Sequence, residues 1–538
     1  MRIALLTCFA VVSLLAQAVP DPRIAVEGPD FSGELPKAAG GFWSAQGVSV
    51  RIDSGGEVSV ESSGKRLERV RLTWLRAFVR GSRYFCDAWE RTEGDSGWYD
   101  APTFSCSPWY AMVREPDGTF HGFGVEVQPS SLVCWKFGEG TLTAVLDVTA
   151  GGRPLSLGPR TLRAARLVLM EGEKGLSAFA AARKFAKQMC PAARLPSAPV
   201  YGYNDWYCAY GKNTATNFLQ DAAFVCSLAE GLKNRPYVVM DDGWQPNAPP
   251  VVKKYNLGGS GWGPWDRSGD AFGMDMRPFA AKVRALGAKP GLWYRPYRAW
   301  AEAPNSLKCL NNKRIFDPTL PEVKKMIFED VRRFRDWGFD LVKIDYLVRD
   351  LCGLCGTELH DRVFHDDRGW RDDTRTSAEV MLDLQRTMRA AAGDKVVLIG
   401  CNALNHLAAG IFELQRTGND TSGWKWEQTK RIGVNTLGAR GFLNGIFYAA
   451  DADCAGLAKA GAVPWEKNRQ WIDLLGRSGT PLFVSWHRSL VDDGVRAALK
   501  AGFRAASELR ATAEPLDWLE NRVPARWRLA DGEAQYVW

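Results

Sequence analysis

From about residue 197 onward the sequence repeats one pattern: a short apolar run suited to a strand, then a stretch with helical periodicity. Eight such runs occur in order, VYGYNDW, YVVMDD, PGLWYRP, DLVKIDY, VVLIGCN, IFELQRT, GIFYAAD and PLFVSW. Strands separated by helices must run parallel, because a helix returns the chain to the end where the previous strand began. The clearest separator is TLPEVKKMIFEDVRRFRDWG. Thr319 and Glu322 have capping-box spacing, Val323, Met326, Ile327, Val331 and Phe334 share one face, and Gly338 marks the end. The connection between the fifth and sixth runs is short and only weakly helical. Eight β/α units over residues 197–510 predict an α/β fold, a (β/α)8 TIM barrel. An open doubly wound sheet would carry a GxGxxG signature after its first strand, and none is present.

The preceding region, residues 24–190, has the alternation of an antiparallel β-sandwich-like domain. VSVRIDSGGEVSVES reads as a hairpin turning at Gly55-Gly56, and GLSAFAAARKFAKQ reads as a closing helix. The proline-containing CPAARLPSAPV reads as a linker. Residues 511–538 suffice for about two strands, a short or truncated C-terminal β segment. Residues 1–18 have the form of a signal peptide. Arg2 precedes the apolar run Ile3 to Ala16, and Ala16-Gln17-Ala18 gives a cleavage site. A secreted or periplasmic protein is expected, with no membrane-spanning segment.

The 538 residues carry 69 basic and 61 acidic side chains, with no dense basic run, which argues against a nucleic-acid partner. The five histidines form no HxH or HExxH, so neither a metal nor another cofactor is expected. Twelve cysteines less Cys8 leave 11, an odd number scattered singly; the one CxxC, Cys352 and Cys355, suggests a loop disulfide or two thiols. The 22 tryptophans suit a core or sugar-stacking platforms.

The strand ends are where the sequence turns polar. They carry Asn204, Asp205 and Trp206; Asp241, Asp242 and Trp244; Trp293 and Arg295; Lys343 and Asp345; Cys401 and Asn402; Arg416 and Asp420; Asp451 and Asp453; and Trp486. In a barrel these ends form the catalytic rim. Carboxylates that clamp hydroxyls, together with indoles that cover a ring face, suit an uncharged polyhydroxylated ligand. Lys343 and Asp345 are two apart, so they leave the strand on one face, where the ammonium favours the ionised carboxylate. Asp241 and Asp242 can share a ligand only if the strand ends there, and Gly243 permits the turn.

On these segments the sequence resembles the α-galactosidase/melibiase enzymes of glycoside hydrolase clan D, most like family 36, with family 27 as a cousin. VMDDGWQPN is similar to their second-strand MDDGW segment and YGYNDWYCAYG to their first-strand GWNSW segment. GFDLVKIDY is similar to the segment bearing the nucleophile, LQRTGNDTSGW to the one bearing the acid/base, and ADADCAG to an altered NDPDC element. The resemblance implies that Asp345 is the nucleophile and Asp420 the acid/base of a retaining double displacement on terminal α-galactosyl residues. It implies that Asp241 and Asp242 bind the 4- and 6-hydroxyls beside Trp244, and that Arg416 reaches the 2-hydroxyl. Lys343, Trp206, Trp293, Arg295, Cys401 and Asp451 complete the expected substrate-binding set. The first strand departs with Asn204-Asp205-Trp206 in place of Asn-Ser-Trp. The fifth ends in CNALNH, and the eighth runs into SWHRSL where an acidic turn is common. Two alternatives fit the same residues. One is hydrolysis or transfer of another α-sugar, such as α-N-acetylgalactosamine. The other is a non-catalytic carbohydrate-binding protein on the same barrel.

Overall fold

In the computed structural model, residues 21–246, 262–353, 361–421, 423–457 and 463–538 are described. The expected signal peptide with Cys8 lies outside these residues, as do Cys355 and His360. Among the described residues no helix is long and apolar enough to cross a membrane.

The N-terminal strands form two antiparallel sheets, one of six strands and one of nine. The expected hairpin pairs Val48–Ile52 with Glu57–Ser62. Asp53 Oδ1 holds its turn by accepting from Gly55 N and Glu57 N, both at 2.8 Å. Apolar residues alternate inward, as Val48, Val50, Val58 and Val60 show. The closing helix is Ala178–Met189, capped by Ser177, whose Oγ accepts from Ala180 N at 3.1 Å. It lies on the strand Phe120–Val125 where that strand is glycine: a Cβ on Gly122 would come within 2.7 Å of the Phe185 ring.

The eight expected barrel strands are all present. They are Tyr201–Asn204, Tyr237–Met240, Lys289–Tyr294, Leu341–Ile344, Val397–Gly400, Leu414–Arg416, Ala449–Asp451 continued by Cys454–Leu457, and Leu482–Trp486. All pairs are parallel, and the first strand pairs with the eighth. The seventh strand closes the barrel in two pieces. Ala449–Asp451 pairs with the sixth strand, and Cys454–Leu457 pairs with the eighth. Between the pieces Asp453 has φ +69°, which breaks the ladder and re-aims its side chain. An inner cluster fills the barrel with Val239, Leu341, Ile399, Leu414 and Phe483, while a larger core lies between the barrel's strands and helices and continues through the N-terminal sheets. Tryptophan serves mainly this core: ten indoles, Trp244, Trp265 and Trp293 among them, are fully buried.

The helix after the third strand, Pro321–Trp337, buries Val323, Ile327, Val331 and Phe334 and stops at Gly338 with φ +99°, as expected. Its expected capping box is not formed. Pro321 opens the helix after Leu320, and Thr319 Oγ1 donates to Asp317 Oδ1 at 2.6 Å. The weak connection after the fifth strand holds only the helix Asn405–Ala408. N-terminal residues cover it: the Trp109 and His406 rings stack at 5.1 Å and 4°. His406 Nε2 donates to the Val125 carbonyl at 3.1 Å, and Asn405 N donates to the Trp89 carbonyl, also at 3.1 Å. The C-terminal segment forms three short antiparallel strands, Glu514–Pro515, Arg526–Leu529 and Gly532–Gln535, in place of the two expected.

Candidate active site

The second strand ends at Met240, and the chain then turns. Gly243 adopts φ +122°, and a Cβ there would meet Asn213 Oδ1 at 2.5 Å and the Gly211 carbonyl at 2.7 Å. The turn frees Asp241 and Asp242 from opposite-face geometry. Asp241 Oδ2 accepts from Lys343 Nζ and from Asn204 Nδ2, each at 2.7 Å. Lys343 therefore bonds across to the residue that follows the second strand; Asp345, two residues on from Lys343, feels it as a nearby charge. Burial works against the Lys343 charge, but the Asp241 carboxylate outweighs it and holds the ammonium's pKa above the ordinary value.

Asp345 follows the fourth strand. Its Oδ2 accepts from Trp293 Nε1 at 2.9 Å, and its Oδ1 from Tyr346 N at 2.7 Å. Tyr346 sits at φ +60°, and its N–H is shared with Asn402 Oδ1 at 2.9 Å. Burial opposes ionisation of Asp345. Lys343, then Arg91, then the indole and backbone donors more than offset it, and the pKa lies below the usual carboxylate value. The result is an oriented, ionised carboxylate.

Asp420 lies on the loop beyond the sixth strand with its side chain 46% exposed. Its Oδ1 is 3.3 Å from Arg416 Nη2 and 3.6 Å from Arg91 Nη1. Arg416 is buried and holds Asp453 Oδ2 at 2.8 Å; its Nη1 donates to Cys401 Sγ at 3.5 Å. Asp453 Oδ2 also takes the Thr421 N–H at 2.9 Å and the Tyr207 hydroxyl, so this oxygen is engaged within the protein. Asp451, buried beside it, is pushed up to about 6 by burial, with Arg416 opposing, and accepts from Asp453 N at 3.0 Å.

Asp242 is pushed up to about 6, chiefly by burial, although Gln245 Nε2 at 2.5 Å and Trp262 Nε1 at 2.9 Å favour its charge. Asp205 is pushed up to about 8 by burial and by the Asp241 charge. It accepts from Asp241 N at 2.7 Å and from Asn213 Nδ2 at 3.2 Å. Among the described residues no group of three His, Cys, Asp or Glu could hold a metal ion.

The structure thus gathers Asp345, Lys343, Asp241, Arg416, Asp420, Cys401 and Asp451 around the strand ends. Trp293 supports Asp345 from a buried position, and Trp206 is half-buried at the rim. Two expected ligand contacts are corrected. Trp244 is wholly buried against Trp265 and Phe334, and its Nε1 donates to the Trp293 carbonyl at 2.9 Å, because the turn at Gly243 sends the indole behind the strands. Trp262 takes the place beside Asp242. Arg295 is bound by both oxygens of Asp350, at 2.8 and 2.6 Å. Its guanidinium lies between the Trp262 and Tyr346 rings, with centroids 4.3 and 3.8 Å away, so it braces those rings.

Sequence reasoning missed Glu90 and Arg91. Thr92 N donates to the Thr417 carbonyl at 3.2 Å, and Asn419 N donates to the Thr92 carbonyl at 3.0 Å, which lays this N-terminal segment along the end of the sixth strand. Asn402 Nδ2 reaches Glu90 Oε1 at 3.4 Å, and burial raises the Glu90 pKa. The pattern DAWERTE has no period or motif that marks it for a site about 250 to 330 residues away in a barrel.

No family model and no curated protein matches the sequence. Solved structures do. TtGalA, an α-galactosidase from Thermus thermophilus in complex with p-nitrophenyl α-D-galactopyranoside, is 17% identical. The match covers 91% of this chain and 97% of that one, with a TM-score of 0.60. A variant of the family 36 α-galactosidase AgaA from Geobacillus stearothermophilus, in complex with 1-deoxygalactonojirimycin, is 12% identical. It covers 91% of this chain and 71% of that one at a TM-score of 0.61. The galactosidase domain of the α-galactosidase–sucrose kinase AgaSK is 14% identical and covers 86% and 67% at a TM-score of 0.57. The clan resemblance read from the strand-end segments therefore extends to the architecture, and this chain has the N-terminal β-sheet and (β/α)8 barrel fold of those α-galactosidases.

Proposed function

We propose that this protein is an exported, retaining α-glycoside hydrolase that removes terminal α-galactosyl residues and needs no cofactor. The observation that carries the reading is the contrast between two carboxylates at one barrel mouth. Asp345 is fixed by Trp293 Nε1 and Tyr346 N and kept ionised by Lys343 and Arg91, as a nucleophile requires. Asp420 is half-exposed on the rim, where a leaving group departs and water enters. In the first step an Asp345 oxygen bonds to the anomeric carbon as the glycosidic bond breaks, and Asp420 gives its proton to the departing oxygen. In the second, Asp420 takes a proton from water, the water oxygen bonds to the anomeric carbon, and Asp345 is released. Asp241 and Lys343, paired at 2.7 Å, and Asp242 are the proposed hydroxyl ligands on the sugar's far side, with Arg416 toward the 2-hydroxyl.

A panel of nitrophenyl α- and β-glycosides tests the reading. The α-galactoside should be the best substrate. Asp345→Ala should lose more than ~10²-fold while keeping its fold by circular dichroism. Azide should restore release of nitrophenol to that variant with formation of the β-galactosyl azide. Turnover of no α-glycoside, or an Asp345→Ala variant that keeps a tenth of the activity, would sink the assignment.

A further inference from the structure

Among the described residues Trp424 is the tryptophan most open to solvent: it is 44% exposed, four residues beyond Asp420. Its Nε1 donates to the Tyr210 hydroxyl at 2.5 Å, and the two rings lie 6.5 Å apart. Tyr210 in turn packs on Trp206 at 5.4 Å. Trp206 and Tyr210 are half-buried on the barrel's inner cluster, so the exposed indole is tied to the interior through two further rings. Its neighbours Gly423 and Asp420 are also held by contacts. Gly423 has φ +65°, and a Cβ there would come within 2.6 Å of the Gly456 carbonyl oxygen, so the backbone lies flat on the seventh strand. Gln428 Nε2 braces the same loop by donating to the Asp420 carbonyl at 2.8 Å.

We infer that Trp424, supported by Tyr210 and Trp206, is the stacking platform for the ring on the leaving-group side of the scissile bond, and that this ring is a pyranose. The inference rests on the glycosidase reading and deepens it. Direction comes from exposure. Lys343 and Asp241, at 11% and 4%, mark the deep end of the site, whereas Asp420 at 46% marks the end where the leaving oxygen sits. A rigid indole on the Asp420 loop therefore lies beyond the bond being broken. The apolar C–H face of a pyranose matches such a surface, and the ring needs no charge there.

The test compares kcat/KM on an α-galactosyl-(1→6)-glucose disaccharide with that on α-galactosyl fluoride, whose leaving group has no ring. Trp424→Ala should lose roughly tenfold on the disaccharide and less than twofold on the fluoride, and Trp424→Phe should recover most of the loss. Equal losses on both substrates, or none on either, would overturn the platform. Should the unmutated protein turn over neither substrate, the glycosidase reading fails by itself. Calorimetric titration of the disaccharide into the parent and Trp424→Ala proteins then decides the platform: roughly tenfold weaker binding in the variant supports it, and unchanged or undetectable binding in both rejects it.

Discussion

Around most of the barrel each strand is followed by a helical run of ten or more residues, whereas the fifth is followed by the four residues Asn405–Ala408. Elsewhere the chain's own helices bury the outer face of the sheet. Here the N-terminal sheets do so, with Trp89, Trp109 and the buried His406, whose pKa burial lowers to about 3 so that it stays neutral. A sheet face must be covered by something, and a missing helix makes room for another layer. The difference teaches that the least regular unit of the barrel is also where it is joined to the rest of the molecule. The segment that makes the joint, Asp87 to Glu93, carries Glu90 and Arg91 to the rim.

The largest effect expected from breaking this arrangement lies on the barrel side. Asp420→Asn should cut hydrolysis of an α-galactosyl disaccharide by ~10²–10⁴-fold, and the first step on an acidic phenyl leaving group far less. Stopped-flow kinetics on the phenyl substrate should show a burst and then slow turnover that azide accelerates. Equal losses on both substrates with no burst would mean that Asp420 only positions sugar.

The joint itself is next. Arg440 and Asp87 form an ion pair at 2.7 Å with both side chains fully buried, and Arg440 Nη1 also donates to the Thr417 carbonyl at 2.9 Å. Arg440→Met leaves a buried carboxylate without its cation and should cost about 3–5 kcal/mol in urea unfolding. Arg163→Met within the N-terminal sheets, where the arginine side chain is 72% exposed beside Glu57, should cost under about 1 kcal/mol. Similar losses for the two would refute the claim that the joint is the more sensitive place.

pH separates the regions in a third way. The Asp242 folded pKa, about 6, exceeds the unfolded value of ~3.9, so its favourable contribution is complete below ~4 and is lost as pH rises through 6. Asp242→Asn should therefore gain roughly 2–3 kcal/mol on its parent between pH 4 and pH 7. Glu27, in the N-terminal sheets, is opposed by burial but lowered by Arg71 and Arg69; its contribution is present at neutral pH and fades as pH falls through its folded value. Glu27→Gln should accordingly lose more ground on its parent at pH 7 than at pH 3. Denaturant titrations at three pH values check both signs.

The smallest effect tests what the N-terminal segment adds to the chemistry. Arg91→Gln should lower kcat/KM by roughly tenfold and move the acidic limb of its pH profile upward, since Arg91 helps to lower the Asp345 pKa. Lys343→Met should do more, because Lys343 is the stronger of the two charges on Asp345 and also pairs with Asp241. An Arg91→Gln profile that superimposes on the parent would leave the segment with a purely structural role.

Lys343 and Asp345 could be read as site residues because two polar groups at the end of an apolar strand violate the pattern that folds it. The same logic found the barrel: eight apolar runs with helical spacers admit few topologies, and each run became a strand. Trp244 was misplaced because a one-residue turn decides whether an indole faces the rim or the core, and composition does not distinguish them. The Lys343–Asp241 bond was invisible for a related reason: spacing along one strand says nothing about which neighbouring strand supplies the partner. Sequence alone determined the local periods and the strand ends, since these rest on side-chain direction within single elements; it singled out Asp345 and Asp420 only through the clan resemblance of their segments. Tertiary structure alone decided that Arg91 meets Asp420, that Asp453 is occupied by Arg416 and Tyr207, and that Arg295 braces rings. Those contacts join residues up to hundreds of positions apart, and their geometry exists only once the sheets and the barrel have closed on one another.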